Sequence, residues 1–437
     1  MIKTSLKTSY FCLFTLGLCL PSSIQATPLE EIISGIKSES FLRYRYNDTR
    51  WNNLDFIKGN NKTGRTQISS AGKGAAHNFR ADFSFTTPDI HGVSMNLGAV
   101  YFKNASTNIG GNYGEGLGAG EDGDFGVSTF YANIQPSNNT LIQIGKMRFE
   151  TPFNDPSDDR GTGVVLKNKD IQGVSLYAAA YDTWSLDDSM NAIPFGTNEN
   201  SLNKPIYQFA IDVSQNQIGA SAWYVHIQDV YDYLAYATLG YKNDFLNLKA
   251  EYAQSRLNNG LFQTISPHTL LQKDHSLATF NIGINYAFLN ARLGYIGSFQ
   301  DGYKVSIDNQ GQFINAGRIW NDNSITDISY AATGSIADSK HHLNVFFASL
   351  GFSPLENNTL AFTLDYVQGQ DKNKTQNSTL TFYEITPNIT YRYNKNLDFL
   401  IYYAMLHASK DPKRNTTGEE YADAQENRLR FQTIYRF

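Results

Sequence analysis

Polar and apolar residues alternate along most of this chain. In residues 427–437, Leu429, Phe431, Thr433, Tyr435 and Phe437 fall on one side of an extended strand, with Arg428, Arg430, Gln432, Ile434 and Arg436 on the other. One side suits lipid; the other carries arginines that do not. A strand predicted over 40–47 sets Leu42, Tyr44 and Tyr46 against Phe41, Arg43 and Arg45. A second, over 77–86, sets Phe79, Ala81, Phe83 and Phe85 against Arg80, Asp82 and Ser84, and Val93, Met95, Leu97, Ala99 and Tyr101 alternate in a third. One such strand also fits the edge of a soluble sandwich, so the number of strands and their connections decide.

Those connections alternate in length. Long segments fall at 48–76, 104–125, 149–162, 183–204, 257–274, 301–340, 369–379 and 409–426. Short turns rich in Asn, Asp, Pro and Gly fall near 88–92, 136–138, 169–171, 215–216, 243–244, 289–290, 354–357 and 394–396. One connection on the long side, Asp229-Val230, is short. About 18 strands lie between them, an even number that leaves both ends on the short-turn side. The expected fold is an all-β transmembrane antiparallel barrel with short periplasmic turns and long outer loops, in the outer membrane of a Gram-negative bacterium. A barrel of this size encloses a water-filled lumen, and the chain spends nearly all its residues on wall and loops, leaving none for a plug domain.

Composition agrees. Residues 1–26 read as a secretory signal peptide, with Lys3 and Lys7 before an apolar run and Ala26 at the cut, so the barrel is expected over 27–437. Both cysteines, Cys12 and Cys19, leave with it, which excludes a disulfide framework or thiolate metal site. Loss of Lys3 and Lys7 moves the formal charge from −5 to −7, against nucleic-acid binding. No later apolar run approaches the roughly 20 residues of a transmembrane helix. The 27 Tyr and 28 Phe are what two interfacial girdles require.

Segment 149–161 holds Glu150, Asp155, Asp158, Asp159 and Arg160. It can fold inward and narrow the pore, or remain a solvated outer loop. Arg43, Arg45, Arg80, Arg428, Arg430 and Arg436 share the side assigned to the lumen, because a bilayer-facing arginine costs a few kcal/mol. Opposed to the acidic segment they form a charged constriction with its own ion preference; alone they solvate the lumen wall. Asp155, Asp158 and Asp159 also have the oxygen chemistry for Ca²⁺. The glycine-rich stretch 110–126 lacks the strand-then-helix setting of a phosphate loop. His341-His342 has no evident zinc partner, and nothing near His407 marks a nucleophile, so no enzyme is expected.

Residues Ala26-Thr27-Pro28-Leu29-Glu30-Glu31, Leu42-Arg43-Tyr44-Arg45-Tyr46, Gly145-Lys146, Gly161-Thr162-Gly163-Val164 and the closing strand 428–437 resemble the major outer membrane protein (porin) family of Campylobacter and its relatives. The resemblance runs over the whole mature chain. It implies a homotrimeric, 18-stranded, cation-preferring porin with an inward third loop and calcium near the constriction. Asp155 and Asp159 keep the spacing of the family's two aspartates, and Ile307-Asp308-Asn309-Gln310-Gly311 resembles a family segment whose first acid is Glu, which makes Asp308 a third candidate metal-site acid. Asp371-Lys372-Asn373-Lys374-Thr375 fits an acid-x-Asn-x-Thr glycosylation pattern, which makes Asn373 a candidate acceptor in a predicted outer loop. The expected function is diffusion of small hydrophilic solutes and ions across a lipid-embedded wall; the alternative is adhesion through the long outer loops 48–76 and 301–340.

Overall fold

A computed structural model describes residues 35–52, 75–106, 124–157, 159–185, 204–260, 272–307, 311–322, 325–331, 340–355, 359–411 and 423–437. The proposed signal peptide lies outside them. Among the described residues there are 18 strands: β1 (Lys37–Asn52), β2 (Ala75–Thr86), β3 (Val93–Ser106), β4 (Asp124–Ser137), β5 (Thr140–Arg148), β6 (Arg160–Asn168), β7 (Val174–Ser185), β8 (Ile206–Gln215), β9 (Ile218–Ile227), β10 (Tyr231–Lys242), β11 (Leu246–Leu257), β12 (Asp274–Tyr286), β13 (Leu289–Gly297), β14 (His341–Phe352), β15 (Leu360–Asn373), β16 (Ser378–Arg392), β17 (Leu397–Asp411) and β18 (Ala424–Arg436).

Each strand pairs antiparallel with its sequence neighbours, and β1 pairs with β18 to close one sheet into a barrel. Closure matters because bilayer hydrocarbon offers no partner to an unpaired N–H or C=O. The closing register runs from Phe41 opposite Arg436 to Asn52 opposite Gln425. It sets Leu42 against Tyr435 and Tyr46 against Phe431 on one face, and Arg45 against Gln432 and Asn47 against Arg430 on the other. The outer face is continuously apolar, with Leu97, Phe130, Phe209, Leu239, Leu293, Phe346 and Leu350 exposed. No helix of the described residues is long and apolar enough to cross a membrane; strands make the crossing.

Gly145 bends β5. Its φ of +131° is one that side chains rarely adopt, and a Cβ there would sit 2.3 Å from Phe130 O. Two residues beyond it, Met147 is buried, and the chain turns into the lumen.

Three expectations change. Segment 369–379 is not a long loop: β15 and β16 extend through it to a tip at 374–377. Leu289 and Asn290 belong to β13, and the turn lies at 287–288. Most important, segment 301–340 is not an outer loop over its described part. Val305, Ile307, Ile319, Trp320, Ile325, Ile328 and Tyr330 are fully buried inside the barrel. A run with this much Ile, Trp and Tyr would expose too much apolar surface to water; inside it packs on the wall, where Trp320 stacks on Phe382 with ring centroids 5.5 Å apart. The lumen is thus partly filled by a loop, without a plug domain. Segment 48–76 lies mostly outside the described residues.

Leu293, 64% exposed at the middle of β13, tests the lipid assignment. Leu293→Arg is expected to destabilise the barrel by about 2–4 kcal/mol in lipid vesicles, read by denaturant unfolding.

Candidate functional site: the arginine face and the two inward loops

The 149–159 loop turns inward after β5. Phe149 and Phe153 are fully buried and anchor it: Phe149 packs edge-on to Tyr181, and Phe153 edge-on to Tyr236 and Phe313. Its base is tied by Asn154, which donates to Phe149 O and to Asp159 Oδ2, both at 2.7 Å. The Phe149 and Asp159 backbones bond across the base, Phe149 N donating to Asp159 O at 3.1 Å.

This arrangement separates the acids. Asp159, expected to line the pore, is 0% exposed and part of the loop's internal bonding. Asp155 is exposed at the turn, where its Oδ1 accepts from Ser157 N at 2.9 Å. Asp158 lies outside the described residues. Glu150 meets Lys167 at 3.0 Å.

The arginines form a face along β18, β1 and β2. Arg43 lies opposite Arg80 in the β1–β2 register. Amides orient three guanidiniums: Arg43 Nη2 donates to Asn78 Oδ1 at 3.3 Å, Arg45 Nε to Gln432 Oε1 at 2.9 Å, and Arg430 Nε to Asn47 Oδ1 at 2.6 Å. Arg430 also lies over the Tyr402 ring, 5.3 Å from its centroid. Arg80 is buried, paired with Asp82 at 3.1 Å, and donates to Ser157 O at 3.3 Å, so the acidic loop docks on the basic wall at this point. Arg160, at the start of β6, donates to the same carbonyl at 3.1 Å. Arg428 is held by Asp322 at 2.7 Å and Glu426 at 2.9 Å, which turns it toward the second inward loop. Arg436 sits at the periplasmic end, bonded to Asp398.

Between this face and the loop lies a cavity of about 620 Å³, bordered by Glu39, Arg43, Arg80, Arg148, Ser157 and Arg436 among others. Across the loop a second cavity of about 440 Å³ is bordered by Arg148, Glu150, Trp223, Tyr236 and Lys249. Arg148 and Ser157 border both, so the loop tip stands between two compartments.

The 298–340 segment, of which 301–340 was expected to lie outside, supports the first loop. Ile307 N donates to Phe153 O and Gln312 N to Pro152 O, both at 2.8 Å; Ser306 Oγ donates to Phe153 O at 2.5 Å. Wall carboxylates that the sequence reading did not single out hold it in turn. Glu251 accepts from Ile314 N at 2.7 Å and Tyr236 OH at 2.8 Å. Glu426 accepts from the Ile325 backbone and the Trp51 side chain. Glu384 accepts from three consecutive backbone N–H groups. The signal that could have found Glu251 and Glu384 is a glutamate in the lumen-facing phase of a strand, flanked by apolar residues; Glu426, between Gln425 and Asn427, carries no such mark. Burial pushes the Tyr303 and Tyr330 hydroxyls well above the usual phenol range, so both stay neutral in this dry region.

The calcium expectation rests on Asp155, Asp158, Asp159 and Asp308, and of these Asp155 and Asp159 lie among the described residues. Among them no three His, Cys, Asp or Glu side chains converge; Asp155 points from an exposed turn while Asp159 is occupied by Asn154. Asp308 lies outside the described residues. His341 Nδ1 lies 2.6 Å from Asp371 Oδ2, and Asn373 Nδ2 lies 3.1 Å from His341 Nε2. Asn373 is 7% exposed, so its amide is barely presented to solvent.

A closed antiparallel barrel with an apolar outer belt, inward loops and a charged lumen is an outer-membrane porin fold. The chain belongs to the Campylobacter major outer membrane protein family, whose model matches residues 2–437. No curated protein matches it. Solved structures share the fold. Acinetobacter baumannii OccAB3 has a TM-score of 0.61 at 14% identity, covering 92% of this chain and 100% of that one. Pseudomonas aeruginosa OpdK gives 0.61 at 12%, covering 92% and 99%. Pseudomonas aeruginosa OccK2, solved with glucuronate, gives 0.59 at 13%, covering 92% and 98%. The protein resides in the outer membrane.

Asn154→Ala removes both ties at the base of the first loop. It is expected to cost about 1–3 kcal/mol and to increase open-channel current noise in bilayer recordings. Intact-mass analysis of protein from its native cell is expected to show no sugar on Asn373.

Proposed function

We propose that this protein is a passive diffusion channel for small hydrophilic solutes and ions, not an enzyme, that it prefers cations, and that it assembles as a homotrimer. The observation that carries the reading is the cavity between the arginine face and the 149–159 loop. Arg43, Arg80, Arg148 and Arg436 border it together with Glu39 and Asp82, so a hydrated ion passing through meets fixed charge of both signs, and ring charge sets the preference. The formal charge of −5 and the exposed Asp155 support cations.

A second reading is favoured by Arg43, Arg80, Arg148 and Arg436 bordering one cavity. Guanidiniums bind carboxylates in a forked geometry, so small organic acids of the glucuronate class would dwell there. The alternative, adhesion through 48–76 and 301–340, loses support at 301–340, where most described residues are buried inside the barrel.

Planar-bilayer recording in a salt gradient tests both readings. Discrete conductance steps are expected, with a reversal potential on the cation side that moves toward zero in Asp155→Asn. Added glucuronate is expected to interrupt the current if the arginines hold carboxylates. Absence of steps sinks the channel reading, and a reversal potential on the anion side removes the cation preference.

A further inference from the structure

The 298–340 segment has almost no sheet partner of its own. Among its described residues the ladder is a single isolated bridge between Ser306 and Ala331. Buried backbone N–H groups must still find acceptors, and at 318–320 one side chain provides them. Arg318 N, Ile319 N and Trp320 N converge on the two oxygens of Glu384 at 2.5, 3.0 and 2.8 Å, and Thr386 Oγ1 adds a fourth bond at 2.5 Å. Successive backbone amides around one anion form a nest; here the anion belongs to the β16 wall and the nest to the loop. Beside it, Arg292 Nη2 holds Asn315 O at 2.9 Å and Arg428 holds Asp322 at 2.7 Å. The nest needs Gly317, whose φ is +78° and where a Cβ would lie 2.9 Å from Glu384 Oε1.

We propose that the Glu384 carboxylate is the latch that holds this inward segment against the wall, and that this one side chain thereby fixes the largest solute that can pass. The inference rests on the channel reading above and extends it. The segment occupies lumen that would otherwise be open, and it braces the first loop through Phe153 and Pro152. Glu384 is a positioning residue: it touches no solute and acts through the loop it holds.

The test reconstitutes full-length mature protein in liposomes and planar bilayers and reads exclusion of neutral sugars of increasing size, which lumen charge does not affect. Glu384→Gln keeps the side chain's shape but turns one acceptor into a donor facing donors. It is expected to raise single-channel conductance and admit an oligosaccharide that the parent excludes. Gly317→Val leaves every wall residue native and is expected to do the same. Folded variants, judged by β circular dichroism and heat-modifiable mobility, that keep the parent's exclusion limit overturn the proposal. So does failure of both variants to form barrels, which would make the segment structural only. A parent that never conducts removes the channel reading and this one with it, whereas a conducting parent with unchanged variants removes this one alone.

Discussion

Hydrocarbon cannot hydrogen-bond. From that constraint follow the closed sheet and the pairing of the first strand with the last. An open edge along β1 or β18 would leave a row of peptide groups without partners, at several kcal/mol for each one that met lipid. Closure also fixes sidedness. Once Leu42 faces Tyr435 across the seam, Arg45 must face Gln432 on the other side, and every strand inherits that phase.

The lumen has the opposite problem. Its wall is polar enough for water, yet two loop segments bring large aromatic and aliphatic side chains into it. They are stable there because the wall meets them in two ways. Apolar wall residues such as Val345, Val367 and Phe382 receive the side chains. Glutamates at 251, 384 and 426 receive backbone amides that no sheet partner satisfies. A buried carboxylate with several donors is tolerated where a lone one is not. Each of these glutamates is therefore specific to the loop it holds.

Charge divides along the same lines. Arginines along β18, β1 and β2 border water and are held by neighbouring amides and carboxylates. The acids near them serve different ends: Asp82 fixes Arg80, Asp159 fixes a loop base, and Asp155 remains at an exposed turn. Four residues of separation along the chain thus divide a structural acid from one available to a passing ion.

Alternation is local, so the sequence by itself determined the strands, their number, the faces given to lipid and lumen, and the closing strand ending at Phe437. Lipid and water impose those phases on each strand independently of its neighbours. The alternating loop lengths carried the barrel, and the opening motif with the other short matches carried the family. Only the tertiary structure decided where the long segments go. Segment 301–340 looked like a surface loop because it lacks period, although its density of Ile, Trp and Tyr already favoured an interior. Segment 369–379 looked like a loop because of its Asn, Lys and Thr, yet register with its neighbours kept it in the sheet. Whether Asp155 or Asp159 meets water, and that Glu384 closes a nest 64 to 66 residues away in sequence, depends on partners brought together by closure. No local pattern encodes such contacts, because they exist only once the barrel has a defined interior.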